Sequence, residues 1–154
     1  MILIPESIKL LKIITPFREK YVKNGLSGGA SHAGYDIALG KPIFIRSGEF
    51  TLAVSLEEFN IPKHILGVVH DKSTWARKGI FCGNTILEPG WKGFLTLEIM
   101  NHDRYDVVIS EETPIAQIIF HTLSYSVKGY EGKYQSQGPN PQKAIMEDED
   151  PPQS

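Results

Sequence analysis

The sequence predicts a mainly β fold, a distorted β-barrel or jelly roll with a short N-terminal helix. Short segments that are apolar, or that alternate between apolar and polar residues, recur roughly every 8–12 residues, which is typical of barrels and sandwiches. Turn-forming residues separate them, among them Gly-Lys-Pro at 40–42 and Asn-Ile-Pro at 60–62. Few stretches have the periodicity of an amphipathic helix, so we expect helices to contribute little.

The N-terminal part combines one predicted helix with one predicted loop. Pro5-Glu6-Ser7 predicts the entry to a short helix that contains Ile8, Leu10 and Leu11, with Ser7 as its N-cap. Pro16 interrupts any longer helix. Residues 25–34 contain four glycines and two serines and predict a loop. Two interpretations of this loop stay open: a flexible surface connection, or a backbone that passes close to a ligand or a neighbouring subunit.

Seven strands are predicted from residue 35 onward. They cover residues 35–39, 42–46, 49–56, 64–70, 93–101, 105–110 and 114–123. In the fifth strand, alternation predicts two faces, one with Phe94, Thr96, Glu98 and Met100 and the other with Leu95, Leu97 and Ile99.

Composition excludes several classes of function. A chain of 154 residues, 41% hydrophobic and 22% charged, is typical of one globular domain. The net charge of −2, without a basic run, argues against a nucleic-acid partner. We expect no membrane segment and no signal peptide, because no long apolar run and no cleavage site is present. The single cysteine, Cys82, rules out an intrachain disulfide, so we expect a cytoplasmic protein that acts on small molecules.

The chain is predicted to divide into one domain and a tail. The domain covers residues 1–143 and includes a C-terminal lid from about residue 126. The acidic, proline-containing end at 144–154 is predicted to be disordered.

Residues 72–77, Lys-Ser-Thr-Trp-Ala-Arg, bring an ammonium, two hydroxyls and a guanidinium together. An arginine fork and a lysine point charge suit a polyphosphate or another oxyanion. A solvated turn with a helix cap explains the same residues without a ligand. The spacing of a P-loop is absent.

Two acidic residues of the central segment, Glu88 and Glu98, each have two interpretations. Glu88-Pro89-Gly90-Trp91 predicts a tight turn with Trp91 partly buried, or a nucleoside site in which a ring packs on a sugar and a carboxylate accepts its hydroxyl. Glu98 either faces solvent or lies in a subunit cleft, where apolar surroundings raise its pKa and suit it to proton transfer.

The segment from Tyr130 to Gln137 is rich in aromatic residues and hydrogen-bond donors. This composition fits a flap that closes over an anionic ligand, and a plain flexible tail is the alternative. The five histidines lack metal-binding spacing and the zinc deaminase signature is absent, so we expect no protein-bound zinc. We expect Cys82 to be a buried or half-buried structural thiol.

Several motifs in a fixed order resemble the family of deoxycytidine triphosphate (dCTP) deaminases, within the dCTP deaminase and dUTPase superfamily. Residues 33–37 (AGYDI) are similar to a motif shared with trimeric dUTPases, and residues 1–11 resemble the opening of the deaminase branch. The later motifs KSTWAR, EPGWKGFLTLE, PIAQIIF and GKYQSQGPNP also resemble deaminases. The resemblance extends over residues 1–143.

The resemblance implies a homotrimer with active sites between subunits, and it implies roles for individual residues. Ser73 and Arg77 match residues that handle the attacking water and the phosphates, and Lys72 and Thr74 match neighbouring phosphate contacts. Glu98 matches the acid that shuttles protons during deamination.

The sugar and the triphosphate have their own implied contacts. Glu88 matches the residue on the deoxyribose 3′-hydroxyl, and Trp91 matches the ring that packs on the sugar. Tyr130, Lys133 and Gln137 match residues of the tail that closes on the triphosphate. Magnesium is expected to arrive with the phosphates and not on protein ligands.

The predicted function is zinc-independent deamination of dCTP to dUTP and ammonia, with continuation to dUMP and diphosphate as an option. Glu98 favours deamination, because the corresponding position of trimeric dUTPases is normally apolar. Glu88 departs from the usual aspartate, and the segment before it is about two residues shorter than usual, without a recognisable His-x-Thr-Ala in residues 81–85. The alternatives are a dUTPase and a non-catalytic trimer that binds deoxycytidine or deoxyuridine nucleotides.

Overall fold

Strands dominate residues 1–147, the part of the chain that this computed structural model describes. The two helices are α1 (Pro5–Leu10) and α2 (Ser73–Ala76). The strands are β1 (Ile14–Thr15), β2 (Tyr21–Lys23), β3 (Leu26–Ala30), β4 (Tyr35–Ala38), β5 (Ile43–Ile45), β6 (Phe50–Asn60), β7 (Ile65–Asp71), β8 (Ile80–Cys82), β9 (Ile86–Leu87), β10 (Lys92–Asn101), β11 (Val107–Ile109) and β12 (Pro114–Thr122).

The strands form two larger antiparallel sheets and one small one. The first sheet has the order β1-β6-β10-β8, the second has the order β2-β3-β4-β12-β7-β9, and β5 pairs with β11. Apolar side chains from both larger sheets are completely buried in one core, including Leu97 and Ile99 of β10 and Ile118 and Phe120 of β12. The mainly β architecture and the short N-terminal helix confirm the predicted fold class.

All seven predicted strands are present, with ends that differ by a few residues. The strands missed by prediction are β1, β2, β3, β8 and β9. Four of these contain only two or three residues, too few to establish a periodicity. The N-cap prediction for Ser7 is wrong. Ile4 occupies that position without a side-chain cap, and the N–H of Ser7 donates to the Ile4 carbonyl at 3.0 Å.

The prediction of a loop over residues 25–34 is wrong for residues 26–30, which form β3 between β2 and β4. The glycines allow this strand to pack closely. A Cβ atom at Gly28 would lie 2.3 Å from the Tyr21 ring and 2.7 Å from Pro114. Glycine in a strand often marks such a close approach, so tertiary packing overrides its preference for loops.

Candidate active site

Trp75 anchors the short helix α2 to the second sheet. Its side chain is 9% exposed, and its indole N–H donates to the Pro114 carbonyl at 2.8 Å. The helix therefore leaves Ser73, Thr74 and Arg77 exposed. Ser73 and Arg77 lie on the same face because they are four residues apart, and the Arg77 N–H donates to the Ser73 carbonyl at 3.0 Å.

Lys72, just before α2, lies in a cavity of about 510 Å³ that we call the Lys72 cavity. Its lining combines cationic, hydroxyl and acidic groups: Lys20, Ser27, Ala30, Ser31, His32, Asp36, Asp71, Lys72, Ser73 and Gln117. The Lys72 ammonium lies 3.0 Å from an Asp36 oxygen and donates to the Ser27 hydroxyl at 3.3 Å. Burial raises the pKa of Asp36, and Lys72 opposes that rise. Cations and hydroxyl donors suit this cavity to an anion.

Glu98 lines a second cavity, of about 1350 Å³, that we call the Glu98 groove. The strand alternates as predicted, with Leu95, Leu97 and Ile99 buried and Glu98 exposed. Five of the predicted site residues line this groove together: Glu88, Trp91, Glu98, Tyr130 and Gln137. The fold therefore brings the predicted sugar contacts, the predicted proton carrier and part of the tail to one surface.

The predicted tight turn before β10 is confirmed, since the Trp91 N–H donates to the Glu88 carbonyl at 3.0 Å. Trp91 is more buried than expected, at 6% exposure. Its ring lies 6.4 Å from that of Phe59, and its indole N–H donates to the Tyr134 carbonyl at 2.6 Å. Trp91 is thus fixed between the core and the tail.

The tail returns to β10 of its own chain. The Phe94 N–H donates to the Gln137 carbonyl at 2.9 Å, and the Gln137 side chain accepts from the Thr96 hydroxyl at 3.2 Å. Gly93 permits this approach because it has no side chain: a Cβ atom there would lie 2.6 Å from the Gln137 nitrogen. Its φ of +142° is also rare for other residues.

Gln135, which sequence reasoning missed, joins the tail to the turn before β10. Its amide N–H groups donate to the Gly90 carbonyl at 3.0 Å and the Tyr130 carbonyl at 2.9 Å. Its amide oxygen accepts from the Lys92 N–H at 2.8 Å. A polar side chain in a glycine-rich tail carries no sequence signal for such a role.

Lys133 lies outside both cavities, where its ammonium is 3.1 Å from a Glu147 oxygen. Nearby, the Tyr134 hydroxyl accepts from the Ile145 N–H at 2.9 Å. The tail predicted to be disordered covers residues 144–154. Residues 148–154 of this tail lie outside the described part of the chain. Of its first four residues, Ile145 and Glu147 make the contacts just given.

Cys82 is half-buried, and its thiol donates to the Asn84 side-chain oxygen at 3.1 Å. Burial raises the pKa of Cys82 to about 11, and the nearby carboxylates of Asp71 and Glu98 act in the same direction. The thiol is therefore protonated at neutral pH and matches the expected structural cysteine.

The two cavities share no lining residue. Lys72 and Ser73 line one cavity, and Thr74 and Arg77 line neither. Among residues 1–147, no group of three or more His, Cys, Asp or Glu side chains is arranged to hold a metal ion. Over the same range, no helix combines the length and the apolar character needed to cross a membrane.

Comparison with known proteins identifies the family. The model of the dCTP deaminase-like family matches residues 34–123, which include α2 and β10. The chain belongs to the dCTP deaminase-like family. A dCTP deaminase of Campylobacter concisus is 34% identical, with 82% of this chain and 86% of that protein aligned. A dCTP deaminase of Thermococcus sibiricus is 31% identical, with 88% of this chain and 92% of that protein aligned.

Solved structures share the fold of this dCTP deaminase-like chain. The native dUTPase of EIAV has a TM-score of 0.58 and 19% identity, over 79% of this chain and 97% of that one. The dUTPase of Staphylococcus bacteriophage 80alpha has a TM-score of 0.58 and 15% identity, over 77% of this chain and 95% of that one. At these identities the likeness concerns the fold, which agrees with the predicted jelly-roll-like architecture.

Proposed function

We propose that this dCTP deaminase-like protein hydrolyses dCTP to dUTP and ammonia. The supporting observation is that the Glu98 carboxylate is exposed in a groove that Glu88 and Trp91 also line. This groove offers a proton carrier next to a carboxylate and a ring suited to a sugar. The dCTP deaminases with 31–34% identity support the same reaction.

In the proposed mechanism, Glu98 moves both protons of the attacking water. Its carboxylate accepts one proton as the water oxygen bonds to C4 of cytosine, and it delivers that proton to N3. The remaining hydroxyl proton then passes through Glu98 to N4. The C4–N4 bond breaks, ammonia leaves, and the C4 oxygen becomes the carbonyl of uracil. Proton transfer by a positioned side chain contributes roughly 10²–10⁴-fold, so positioning must supply much of the remaining acceleration.

We also propose that the complete active site forms between chains of a homotrimer. Within one chain, Ser73 and Glu98 line cavities that have no residue in common, and Arg77 lines neither. A neighbouring copy that presents its α2 to the Glu98 groove would bring Ser73 and Arg77 to the reacting water. Arg77 close to Glu98 would also favour the ionised carboxylate that the first proton transfer needs.

The triphosphate would bind next to the Lys72 cavity, whose lysines and hydroxyls suit anionic oxygens. Thr74 and the tail residues Tyr130, Lys133 and Gln137 would add contacts on closure. Magnesium, if present, would be coordinated through phosphate oxygens and would neutralise part of their charge. We expect this chemistry to take place in the cytoplasm.

Continuation of the reaction to dUMP and diphosphate is the second part of the proposal. The observation in its favour is Glu88, whose exposed carboxylate lines the same groove as Glu98. A carboxylate there could activate a second water for attack on the phosphate chain. The Glu88 side chain is one methylene longer than the usual aspartate, and formation of dUMP from dUTP measures how well it supports this step.

The test is incubation with dCTP, and separately with dUTP, in the presence of magnesium, followed by separation of the nucleotides and assay of ammonia. We expect dUTP and ammonia in equal amounts from dCTP. Production of dUMP from both substrates would show that the protein also catalyses the diphosphatase step. Hydrolysis of dUTP without any attack on dCTP would indicate a dUTPase instead, and binding without turnover would indicate a non-catalytic trimer. Glu98→Gln should lose ammonia release and keep dCTP binding.

A further inference from the structure

Residues 83–85, which link β8 to β9, hold β10 at Glu98 through a side chain as well as through the backbone. Strand β8 pairs with β10 from Asn101 back to Ile99, and the last backbone contact is the Gly83 N–H donating to the Glu98 carbonyl at 2.7 Å. At the neighbouring residue, an Asp71 carboxylate oxygen accepts from the Cys82 N–H at 2.7 Å. The ladder of backbone hydrogen bonds between β8 and β10 thus stops at Glu98, whereas β6 continues to pair along the other edge of β10.

The side chain of Asn84 continues the ladder where the backbone stops. Its amide oxygen accepts from the Glu98 N–H at 2.8 Å, and its amide nitrogen donates to the Thr96 carbonyl at 2.7 Å. The same oxygen accepts from the Cys82 thiol at 3.1 Å. One amide therefore bonds to the backbone of two residues that line the groove, Thr96 and Glu98.

We propose that Asn84 is a positioning residue for Glu98, and this inference rests on the proposed function. By replacing a paired strand, its amide fixes the backbone from which the Glu98 carboxylate projects. The role needs an acceptor and a donor in one side chain, which asparagine has and aspartate lacks when ionised. Asn84 lines the Glu98 groove, but three of the four hydrogen bonds that its amide can make bind Glu98, Thr96 and Cys82. Asn84 therefore acts through Glu98.

Two variants and a local control test this role. Asn84→Ala removes both bonds to β10, whereas Asn84→Asp keeps the acceptor, loses the donor and adds a negative charge near Glu98. Thr85→Ala is the control, because Thr85 lines the Glu98 groove next to Asn84 but its hydroxyl makes no hydrogen bond within residues 1–147. The measurements are kcat and KM for ammonia release from dCTP, the pH profile of kcat, and amide hydrogen exchange at Glu98.

We expect Asn84→Ala to lower kcat by about 10–100-fold, with KM within about threefold, because a misplaced group costs transition-state stabilisation more than binding. Asn84→Asp should shift the acidic limb of the pH profile upward, since a second carboxylate disfavours ionisation of Glu98. Amide exchange at Glu98 should become faster in Asn84→Ala and stay unchanged in Thr85→Ala.

Three outcomes would overturn the inference. One is a kcat in Asn84→Ala equal to that of the wild type. Another is an equal loss in Asn84→Ala and Thr85→Ala, which would reflect a general disturbance of this side of the groove. The third is unchanged exchange at Glu98. These differ from failure of the proposed function, in which the wild-type protein itself releases no ammonia from dCTP.

Discussion

Lys72 and Asp36 form an ion pair, 3.0 Å from ammonium to carboxylate, in which the two side chains are only 9% and 8% exposed. The lysine that sequence similarity matches to a phosphate contact therefore also neutralises a buried acid. Its loss would affect both stability and substrate binding, and the two effects need separate measurement.

Lys72→Met should lower the free energy of unfolding by about 3 kcal/mol, because it leaves Asp36 buried without its partner. Burial raises the pKa of Asp36 in the folded state, so the protonated form stabilises the fold at low pH and that contribution is lost as the pH rises. The difference in free energy of unfolding between the wild type and Lys72→Met should therefore be larger at pH 7 than at pH 4. Urea unfolding at the two pH values measures this difference.

The double variant Asp36→Asn/Lys72→Met separates stability from binding. It should recover most of the lost stability, because no charge remains buried, while dCTP binding stays weak. Lys78→Met is the control. Lys78 is exposed, with its ammonium 5.4 Å above the Trp75 ring, and its replacement should lower the free energy of unfolding by less than about 1 kcal/mol. A stable Lys72→Met protein would contradict this account of the pair.

Mixing two inactive variants tests the proposed site between chains. Ser73→Ala and Glu98→Gln should each lose at least about 100-fold in kcat, since each removes a group from the reaction. If the two residues of one site come from different chains, mixed trimers contain sites with both residues intact. Dissociating and reassembling the two variants together should then restore part of the deaminase activity.

Reassembly of each variant alone is the control for this experiment, and it should restore nothing. Size-exclusion chromatography with light scattering checks that the mixed species is a trimer. Mixed trimers without activity would mean that Ser73 and Glu98 of the same chain serve one site.

Gly93→Ala should loosen the tail from β10. The added Cβ atom would lie 2.6 Å from the Gln137 nitrogen, at a φ of +142°. We expect a loss of about 1–3 kcal/mol in stability, faster amide exchange over residues 134–142, and a higher KM for dCTP. Gly138→Ala is a matched control in the same tail, because a Cβ atom there meets nothing within 4 Å. Equal effects of the two substitutions would refute the role of Gly93.

Cys82→Ser should change the alkaline stability of the protein. The Cys82 pKa is raised from 9.0 to about 11, so the protonated thiol stabilises the fold below pH 9, and this contribution is lost as the pH rises toward 11. The wild type should lose about 1–2 kcal/mol more than the serine variant over that interval. Tyr21 and Tyr35, whose pKa values burial raises to about 12, act equally in both proteins. Denaturant unfolding at pH 8.5 and 10.5 provides the comparison.

Sequence reasoning succeeded where the chemistry is local. Alternation in β10 identified the exposed face of Glu98 correctly, and the Pro-Gly pair before Trp91 identified the turn. It failed where the partner is distant in sequence. Residues 26–30 form a strand because Gly28 packs against Tyr21 and Pro114, and no local property of a glycine-rich segment indicates those neighbours.

Strand periodicity and the fixed order of the motifs were enough to predict the mainly β architecture, the face on which Glu98 lies and the family to which the chain belongs. Three features became visible only in the folded chain: the separate cavities of Ser73 and Glu98, the course of the tail along β10, and the Asn84 amide that continues the ladder beside Glu98. Each of them depends on hydrogen bonds and packing between separate segments of the chain, which periodicity and composition do not encode.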